Sequence, residues 1–574
     1  MDLQVFEPMI TAETIERSDG GQTPAAAFNI ASYLPRMADT SPDRTAVVVT
    51  RSRRRDGRAL YASMTFAELE AVSNRYANGL RGMGIERGTR VLVMVKPGFG
   101  FVGLIYALFK MGAVPVLIDP GMGVSRMLEC IRMVVVQAFV GIPIAQVMRV
   151  LRSRSFASVR HVVTVGRRWL WGGPTLRGLA KGASDKFEVA NTGRDETAAV
   201  LFTSGSTGPA KGVVYEHGMF GAQVEAIQRH YRIEPGEIDL PTFPLFALFD
   251  PAMGMTAVIP DMDASRPAKA DPAKIVGAIR DHGVTSTFGS PALWRRVASY
   301  CVEHGVKLPS LRRILIAGAP VPYHTIERLH RVLNPEADVH TPYGATESLP
   351  VSSISGREIL DGCAALSRRG SGTCVGRELP GIELRVIRVS DGPLAEWSDD
   401  LTVPDGEIGE LTVSGHVVTK EYFGLKAATA KAKIVDGHRI WHRIGDVGYR
   451  DQQGRIWFCG RKAHRVVTAS GTLYSVRCEA IFNEHPDVER SALVGVGPRG
   501  RQRPVIVAEP VSGKFPVGPR IETFREELLR LGGASELTES IDDVLFHRSL
   551  PVDVRHNAKI NREQLAEWAA ERVR

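Results

Sequence analysis

Short apolar runs alternate with stretches of helical periodicity from about residue 28 to residue 340. The strand-like runs are RVLVMVK at 90–96, VPVLID at 114–119, RHVVTV at 160–165, TAAVLFT at 197–203, TSTFG at 285–289 and RRILIAG at 312–318. Strands that alternate with helices build parallel sheets with helices on both faces. The pattern therefore predicts an α/β fold, with a large N-terminal domain of helix-covered mixed sheets.

Beyond residue 370 the pattern changes to short strands separated by turns, as in IELRVIRV, GELTVSG and GRIWFCG. Such spacing is typical of an antiparallel, barrel-like subdomain. After Gly460 we expect a helix near 478–485, a strand at 503–511, a helix near 520–531 and a last helix from Asn561. The sequence thus predicts two domains, residues 1–459 and a small, mobile α+β domain at residues 460–574.

The most apolar stretch, VVVQAFVGIPIAQVMRVL at 134–151, is interrupted by Gly141 and Pro143 and contains charged and amide side chains. A membrane-spanning helix needs about 20 predominantly apolar residues. We therefore predict a buried strand followed by a helix, and no transmembrane segment. The first residues lack the basic and apolar regions of a signal peptide, so a cytoplasmic location is expected.

The composition is that of a globular protein, with 574 residues, 44% hydrophobic and 24% charged. Collagen-like and disordered chains are excluded. The net charge of +9, from 72 Lys+Arg against 63 Asp+Glu, is too mild to indicate nucleic-acid binding. The densest basic cluster, Arg51 to Arg58, favours a solvated hairpin loop over an anion or partner patch. Six cysteines without CxxC spacing argue against a zinc site and against disulfides, which fits a reducing compartment.

A loop rich in glycine and hydroxyl groups follows the apolar strand AAVLF. It contains Thr203, Ser204, Gly205, Ser206, Thr207, Gly208 and Lys211. Backbone N–H groups, hydroxyls and a lysine of this kind can wrap phosphate oxygens. Lys211 is followed by Gly212 and a strand rather than by Ser/Thr and a helix, so this is not a P-loop. Taken alone, the loop could also be a flexible surface segment.

The pattern STGPAKG resembles the signature of the adenylate-forming superfamily, which comprises acyl-CoA synthetases, luciferases and peptide-synthetase adenylation domains. Further motifs occur in the family's order over nearly the whole chain. In YGATE, the resemblance implies that Tyr343 and Gly344 lie near adenine, that Thr346 meets the α-phosphate and that Glu347 holds Mg²⁺. Gly318, Ala319 and Pro320 resemble the loop that walls the adenine pocket.

Three more residues complete the resemblance. Asp446 in RIGD is similar to the family's aspartate that accepts hydrogen bonds from the ribose hydroxyls, and Arg461 is similar to the arginine that contacts ribose or phosphate. Lys559 in NAKINR resembles the carboxy-terminal lysine that enters the site for adenylation, where an ammonium stabilises charge developing on phosphate. Catalytic roles are thus implied for Lys559, Thr346 and Glu347, with ATP and Mg²⁺ as cofactors.

Two departures from the family pattern bear on the second half of the reaction. The hinge position is Ala463, where most relatives carry Asp or Lys, and the segment Phe243–Ala247 lacks the aromatic-His motif near the acyl site. Phe246, Phe249 and Met253 cluster beside the expected acyl site and would suit a long alkyl chain. Ordinary core packing is the alternative for these three side chains.

Over its full length the chain is most similar to one branch of the superfamily, the β-lactone synthetases of bacterial long-chain olefin biosynthesis. That resemblance implies activation of a long-chain 2-alkyl-3-hydroxy acid, followed by attack of its own 3-hydroxyl to close a β-lactone. It also implies an assembly with a ketone reductase and a β-lactone decarboxylase. Alternatives are a long-chain acyl-CoA or acyl-AMP ligase and a non-catalytic scaffold. His217 is one candidate for the base that takes the hydroxyl proton, and a structural histidine is the other interpretation.

Overall fold

The computed structural model describes residues 27–203, 210–552 and 560–573 of the chain. The first sheet contains β3 (Arg90–Met94), β4 (Val114–Ile118), β5 (Ala138–Gly141), β6 (His161–Thr164), β7 (Thr197–Thr203) and β8 (Lys211–Glu216). Its strand order is β6-β5-β3-β4-β7-β8. All neighbours are parallel except β8, which is antiparallel to β7. The alternation of strands and helices therefore gives a largely parallel sheet, as predicted.

The second sheet joins a parallel half to an antiparallel half. Its strands are β1 (Thr45–Arg53), β2 (Ala59–Thr65), β9 (Ile238–Pro241), β10 (Thr256–Ile259), β11 (Ser286–Gly289), β12 (Arg313–Ile316), β13 (Asp338–Ala345), β14 (Ser348–Ser355), β15 (Thr373–Glu378), β16 (Ile382–Ile387), β17 (Gly409–Gly415), β18 (Lys433–Asp436), β19 (Arg439–Arg450) and β20 (Ile456–Arg461). The order is β16-β17-β19-β20-β15-β14-β13-β12-β11-β9-β10-β1-β2, with β18 beside β19. Strands β1 and β9–β13 are parallel, whereas β14–β20 form the antiparallel piece that the short strands predict.

Helices cover these sheets and fill the space between them. They are α1 (Tyr33–Thr40), α2 (Phe66–Arg81), α3 (Phe99–Lys110), α4 (Val124–Val134), α5 (Pro143–Leu151), α6 (Leu176–Ala180), α7 (His217–Tyr231), α8 (Phe249–Ala252), α9 (Pro272–His282), α10 (Pro291–Glu303), α11 (Tyr323–Val332), α12 (Gly356–Glu358), α13 (Ala364–Leu366) and α14 (Lys426–Ala432). The largest buried cluster combines Val91 and Leu201 of the first sheet with Val47 and Ala257 of the second, and includes most of α3. The core thus binds the two sheets together.

The last part of the chain is a small α+β unit. It contains the ribbon β21 (Val466–Val467) and β22 (Thr472–Leu473), the sheet strands β23 (Val488–Val496), β24 (Arg503–Pro510) and β25 (Asp543–Phe546), and the helices α15 (Ser475–Phe482), α16 (Arg520–Gly533) and α17 (Arg562–Ala570). Asn561 caps α17 by accepting a hydrogen bond from the Gln564 amide. The predicted elements are confirmed, with the first helix displaced by three residues toward the N-terminus. The boundary at 459/460 stays a prediction.

Two local predictions are also confirmed. The segment 134–151 forms β5 and then α5, with Pro143 at the first turn of the helix. The arginine cluster lies on the exposed hairpin between β1 and β2. Among the residues that the structure describes, no helix is long and apolar enough to cross a membrane.

Candidate active site

The turn that carries Thr346 and Glu347 joins β13 to β14, with Ala345 paired to Ser348. The Tyr215 hydroxyl donates a hydrogen bond to the Thr346 carbonyl at 2.5 Å, and the Thr419 amide donates to the Glu347 carbonyl at 2.9 Å. The backbone of the turn is therefore held on both sides. Its fixed position sets the place of the half-buried Glu347 side chain.

Tyr422 connects the Glu347 carboxylate to Lys211. The Tyr422 hydroxyl donates to Glu347 Oε1 at 2.6 Å, and Lys211 Nζ lies 4.7 Å from the centre of the Tyr422 ring. Burial, followed by the Glu347 carboxylate, raises the pKa of Tyr422, so its hydroxyl keeps its proton at neutral pH. One aromatic side chain thus holds the predicted metal ligand and the predicted phosphate-binding lysine within reach of each other.

Asp446 lies between Tyr343 and Arg461. Its Oδ2 accepts from the Tyr343 hydroxyl at 2.6 Å, and its Oδ1 lies 2.6 Å from Nη1 of Arg461. The pairing of Asp446 with Arg461 in neighbouring strands β19 and β20 places them side by side. The Asp446 carboxylate raises the pKa of Arg461, while burial and then Asp446 raise that of Tyr343. A carboxylate offers about four acceptor sites, so capacity for further donors remains.

The loop Gly318–Pro320 follows β12 at the carboxyl edge of the second sheet. Gly318 has a φ of +98°, a conformation that favours glycine. Tyr343 lies near the carboxyl end of the parallel neighbour β13, so the loop and this residue lie at the same edge. Gly344 sits where a Cβ would come within 2.7 Å of the Ser348 carbonyl. This edge is where open α/β sheets bind ligands.

Part of the predicted site lies outside the described residues. Ser204, Gly205, Ser206, Thr207, Gly208 and Lys559 fall in the ranges 204–209 and 553–559, and of Thr203 only the backbone, as the end of β7, is described. Among the described residues, the structure brings two groups together. One contains Lys211, Thr346, Glu347 and Tyr422, and the other contains Tyr343, Asp446 and Arg461.

Sequence reasoning missed a buried polar group behind Glu347. Lys433 Nζ donates to the Thr419 carbonyl and to Thr419 Oγ1, the latter at 3.2 Å. Burial lowers the pKa of Lys433 to about 7, against the opposing effect of the Glu347 carboxylate. His442 is paired with Lys433 across β18 and β19, and its Nδ1 lies 3.2 Å from the Ala432 carbonyl. The only sequence signal was a lysine at the start of the apolar run Ile434-Val435.

The aromatic residues near the expected acyl site pack on one another. Phe246 stacks on Phe288 with ring centres 3.5 Å apart, and it lies 5.9 Å from the Phe249 ring. Phe249 and Met253 are buried in the core between the sheets. Their contacts are those of core packing, and an additional role in binding an alkyl chain stays a proposal.

His217 lies at the opposite end of β8 from Lys211. The extended strand between them spans about 20 Å. His217 is buried, its Nδ1 accepts a hydrogen bond from the Ile30 amide at 3.3 Å, and burial lowers its pKa to about 4. These contacts support the structural interpretation of this histidine.

A largely parallel sheet, a loop at the carboxyl edge of parallel strands and an aspartate–arginine pair beside a tyrosine are features of a ligand-binding enzyme of the α/β class. The family model described as AMP-binding enzyme matches residues 34–423, and the chain belongs to that family. It is therefore an AMP-forming, ligase-type enzyme that uses ATP.

Two curated relatives match nearly the full chain. The chain is 48% identical over 553 residues, covering 95% of this chain and 98% of the relative, to an olefin beta-lactone synthetase of Xanthomonas campestris pv. campestris. It is 47% identical, covering 94% and 98%, to an olefin beta-lactone synthetase of Stenotrophomonas maltophilia. The fold matches the crystal structure of ATP-bound MatB from Rhodopseudomonas palustris, with a TM-score of 0.75, 21% identity, and coverage of 95% of this chain and all of the other.

Proposed function

We propose that this enzyme activates a long-chain 2-alkyl-3-hydroxy acid with ATP and converts it to a β-lactone, releasing pyrophosphate and then AMP. The observation that carries the proposal is the near-full-length identity, 48% and 47%, to the two olefin beta-lactone synthetases. The contacts of Lys211 and Glu347 with the same side chain, Tyr422, support the first half of the reaction, because a phosphate chain with a bound metal ion needs both a cation and a carboxylate.

The proposed roles follow from the chemistry of each group. Asp446 accepts hydrogen bonds from the ribose hydroxyls, and Tyr343 lies beside the adenine wall at Gly318–Pro320. Lys211 stabilises phosphate charge, and Lys559 would add a second ammonium where charge builds on the α-phosphate. Thr346 would donate to the α-phosphate.

Glu347 fits a magnesium site of the kind that substrate phosphates complete. The described parts of the chain hold no group of three or more His, Cys, Asp or Glu side chains arranged for a metal ion. Mg²⁺ is commonly held by one or two carboxylates together with phosphate oxygens and water. The bound ion would neutralise phosphate charge.

In the proposed second step, the 3-hydroxyl oxygen bonds to the activated carbonyl carbon, the bond from that carbon to the AMP oxygen breaks, and the hydroxyl proton is released. Nucleophile and electrophile belong to one molecule, which removes the entropic cost of a second substrate. No thiol cosubstrate is needed.

The segment after β20 supports a reaction without coenzyme A. Lys462 Nζ lies 2.6 Å from Glu410 Oε1, and Arg465 pairs with Asp391 at 2.8 Å. These ion pairs attach the segment around Ala463 to the antiparallel half of the second sheet. Relatives that form thioesters are expected to rotate their last domain at this position.

The test is to incubate the purified enzyme with ATP, Mg²⁺ and a long-chain 3-hydroxy acid, with and without coenzyme A, and to identify products by mass spectrometry. We expect a β-lactone and AMP in equal amounts, unaffected by coenzyme A. A thioester that forms only with coenzyme A would establish the acyl-CoA ligase instead, and an adenylate that accumulates would establish the acyl-AMP ligase. If no pyrophosphate were released, the non-catalytic scaffold would be the remaining interpretation.

We further propose that a ketone reductase supplies the 3-hydroxy acid and that a β-lactone decarboxylase consumes the lactone, in one assembly in the cytoplasm. The six free cysteines support a reducing compartment. Co-purification of the three enzymes expressed together tests the assembly, and their separate elution on gel filtration would contradict it.

A further inference from the structure

Large apolar side chains are exposed along one edge of the first sheet. On α5, Ile144 is 70% exposed and Leu151 is 74% exposed. On the loop after β6, Trp169 is 58% exposed and Leu170 is fully exposed. Exposed apolar side chains gathered in one region indicate a surface that contacts something other than water.

These two segments form one surface, which we call the apolar edge (Ile144, Leu151, Trp169 and Leu170). Strands β5 and β6 are parallel neighbours, so α5 and the loop leave the sheet on the same side. The Gln146 amide donates to the Val163 carbonyl at 2.9 Å, and Arg149 Nη2 donates to the Trp171 carbonyl at 3.2 Å. Helix α5 is thus attached both to this loop and to β6, the strand that precedes the loop.

The part of the chain that carries the apolar edge is unusually rich in positive charge. From Cys130 to Ser184 the sequence has nine lysines and arginines and no aspartate or glutamate. This equals the net charge of the whole chain, +9, so the remainder is neutral overall. The exposed cations that adjoin the two segments in the chain are Arg152 and Arg154, directly after α5, and Arg167 and Arg168, directly before Trp169.

We propose that the apolar edge docks on the surface of an anionic lipid bilayer. Tryptophan and leucine suit insertion at the boundary between headgroups and acyl chains, and tryptophan is enriched at that depth. Arginines around them attract anionic headgroups, each contributing roughly fivefold in affinity. A protein partner would not require a whole segment without a carboxylate, whereas an anionic surface repels carboxylates.

The docked orientation brings the catalytic side of the first sheet near the bilayer. Strands β5, β6 and β7 all point the same way, so Ile144, at the start of α5, lies at the same edge of this sheet as the carboxyl end of β7. Four strand spacings separate β6 from β7, or about 19 Å. The enzyme would then take its water-insoluble acyl substrate from the membrane. This consequence rests on the proposed function, whereas the proposal of membrane binding does not depend on it.

The experiment measures sedimentation of the full-length protein with vesicles, without ATP or substrate. Vesicles of phosphatidylcholine alone are compared with vesicles of equal parts phosphatidylcholine and phosphatidylglycerol at low salt. We expect binding to the second kind only. The double variant Trp169→Ser/Leu170→Ser and the double variant Arg167→Glu/Arg168→Glu should each weaken it by at least about tenfold.

Matched controls separate this surface from net charge and from general hydrophobicity. Arg54→Glu/Arg55→Glu makes the same charge change on the β1–β2 hairpin, and Val517→Ser removes an apolar side chain that is 68% exposed elsewhere. Both should bind like the unchanged protein, and all variants should release pyrophosphate at the normal rate with a short-chain 3-hydroxy acid.

Three results would overturn the proposal. One is absence of binding to anionic vesicles by the unchanged protein. Another is equal loss of binding in the hairpin control, since that would reflect overall charge. The third is that the unchanged protein does not bind vesicles but self-associates in sedimentation velocity, and that Trp169→Ser/Leu170→Ser abolishes this self-association. The apolar edge would then be an interface between copies of this chain.

Discussion

At the residue scale, Glu347 has one oxygen engaged by Tyr422 and a backbone carbonyl engaged by Thr419. Glu347→Gln preserves the side-chain shape and an acceptor for Tyr422 while it removes the charge. We expect pyrophosphate release to fall by about 10²-fold or more, with the Mg²⁺ dependence displaced to higher concentration, because a metal ligand is lost. A Mg²⁺ titration of the initial rate measures both effects.

The matched control is Glu421→Gln, which removes an exposed carboxylate one residue before Tyr422. Its Mg²⁺ titration should coincide with that of the unchanged enzyme. If Glu347→Gln also left the titration midpoint unchanged, Glu347 would not be a metal ligand.

Lys433 offers a pH-dependent test of burial. Its pKa is about 7 in the folded protein, against a usual 10.5, which the unfolded chain regains. Between these values the unfolded state binds more protons, so the free energy of unfolding increases with pH, by up to about 1.4 kcal/mol per pH unit. Urea denaturation of the nucleotide-free enzyme, compared with Lys433→Met, should show this extra increase only where the lysine is present. Parallel pH profiles would mean that Lys433 keeps an ordinary pKa.

At the element scale, β19 is fastened by a buried ion pair just before Asp446. Arg443 and Glu410 are almost fully buried, with Nη2 and Oε2 2.7 Å apart, and Lys462 also reaches Glu410. Glu410→Gln would leave two buried or half-buried cations without their carboxylate. We expect a loss of about 3–5 kcal/mol in the free energy of unfolding, measured by urea denaturation.

Glu383 on β16 provides the comparison, since it also pairs with two arginines, Arg385 and Arg439, but its side chain is 36% exposed. Glu383→Gln should cost less than about 1 kcal/mol. Similar losses for the two substitutions would show that burial does not control the strength of these pairs.

The strands could be predicted because their signal is local. The runs at 90–96, 114–119 and 197–203 form β3, β4 and β7, since an apolar run between helices has few other structures available. Positions 343, 347 and 446 were implied by the resemblance of YGATE and RIGD to motifs of the adenylate-forming superfamily, and the structure places Tyr343 beside Asp446, 103 residues further along the chain.

Contacts between distant segments could not be predicted in this way. Tyr422 lies 75 residues after Glu347, and no periodicity connects a tyrosine before a glycine turn with a carboxylate in a β-turn. Lys433 and Thr419 likewise meet across the 14 positions that separate them, a stretch that includes helix α14. Burial of a charge is decided by the tertiary fold, so sequence patterns do not reveal it.

At the scale of the whole molecule, the six cysteines are spread over the helices, the second sheet and the last unit. All six are free and buried. Burial raises the pKa of Cys130 and Cys301 to about 11 and that of Cys459 and Cys478 to about 12. A buried thiol with a raised pKa is a poor nucleophile, because the reactive form is the thiolate.

Cys363 differs, because a hydrogen bond from the Cys374 thiol lowers its pKa, and Arg455 Nη1 lies 3.4 Å from its sulfur. We therefore expect a thiol reagent to react slowly with the native enzyme, with Cys363 modified first, and to titrate six thiols after denaturation. Mass spectrometry of partly modified protein identifies the first site. Four thiols in the denatured protein would instead reveal a disulfide between Cys363 and Cys374, and rapid reaction of all six in the native enzyme would contradict the burial of these side chains.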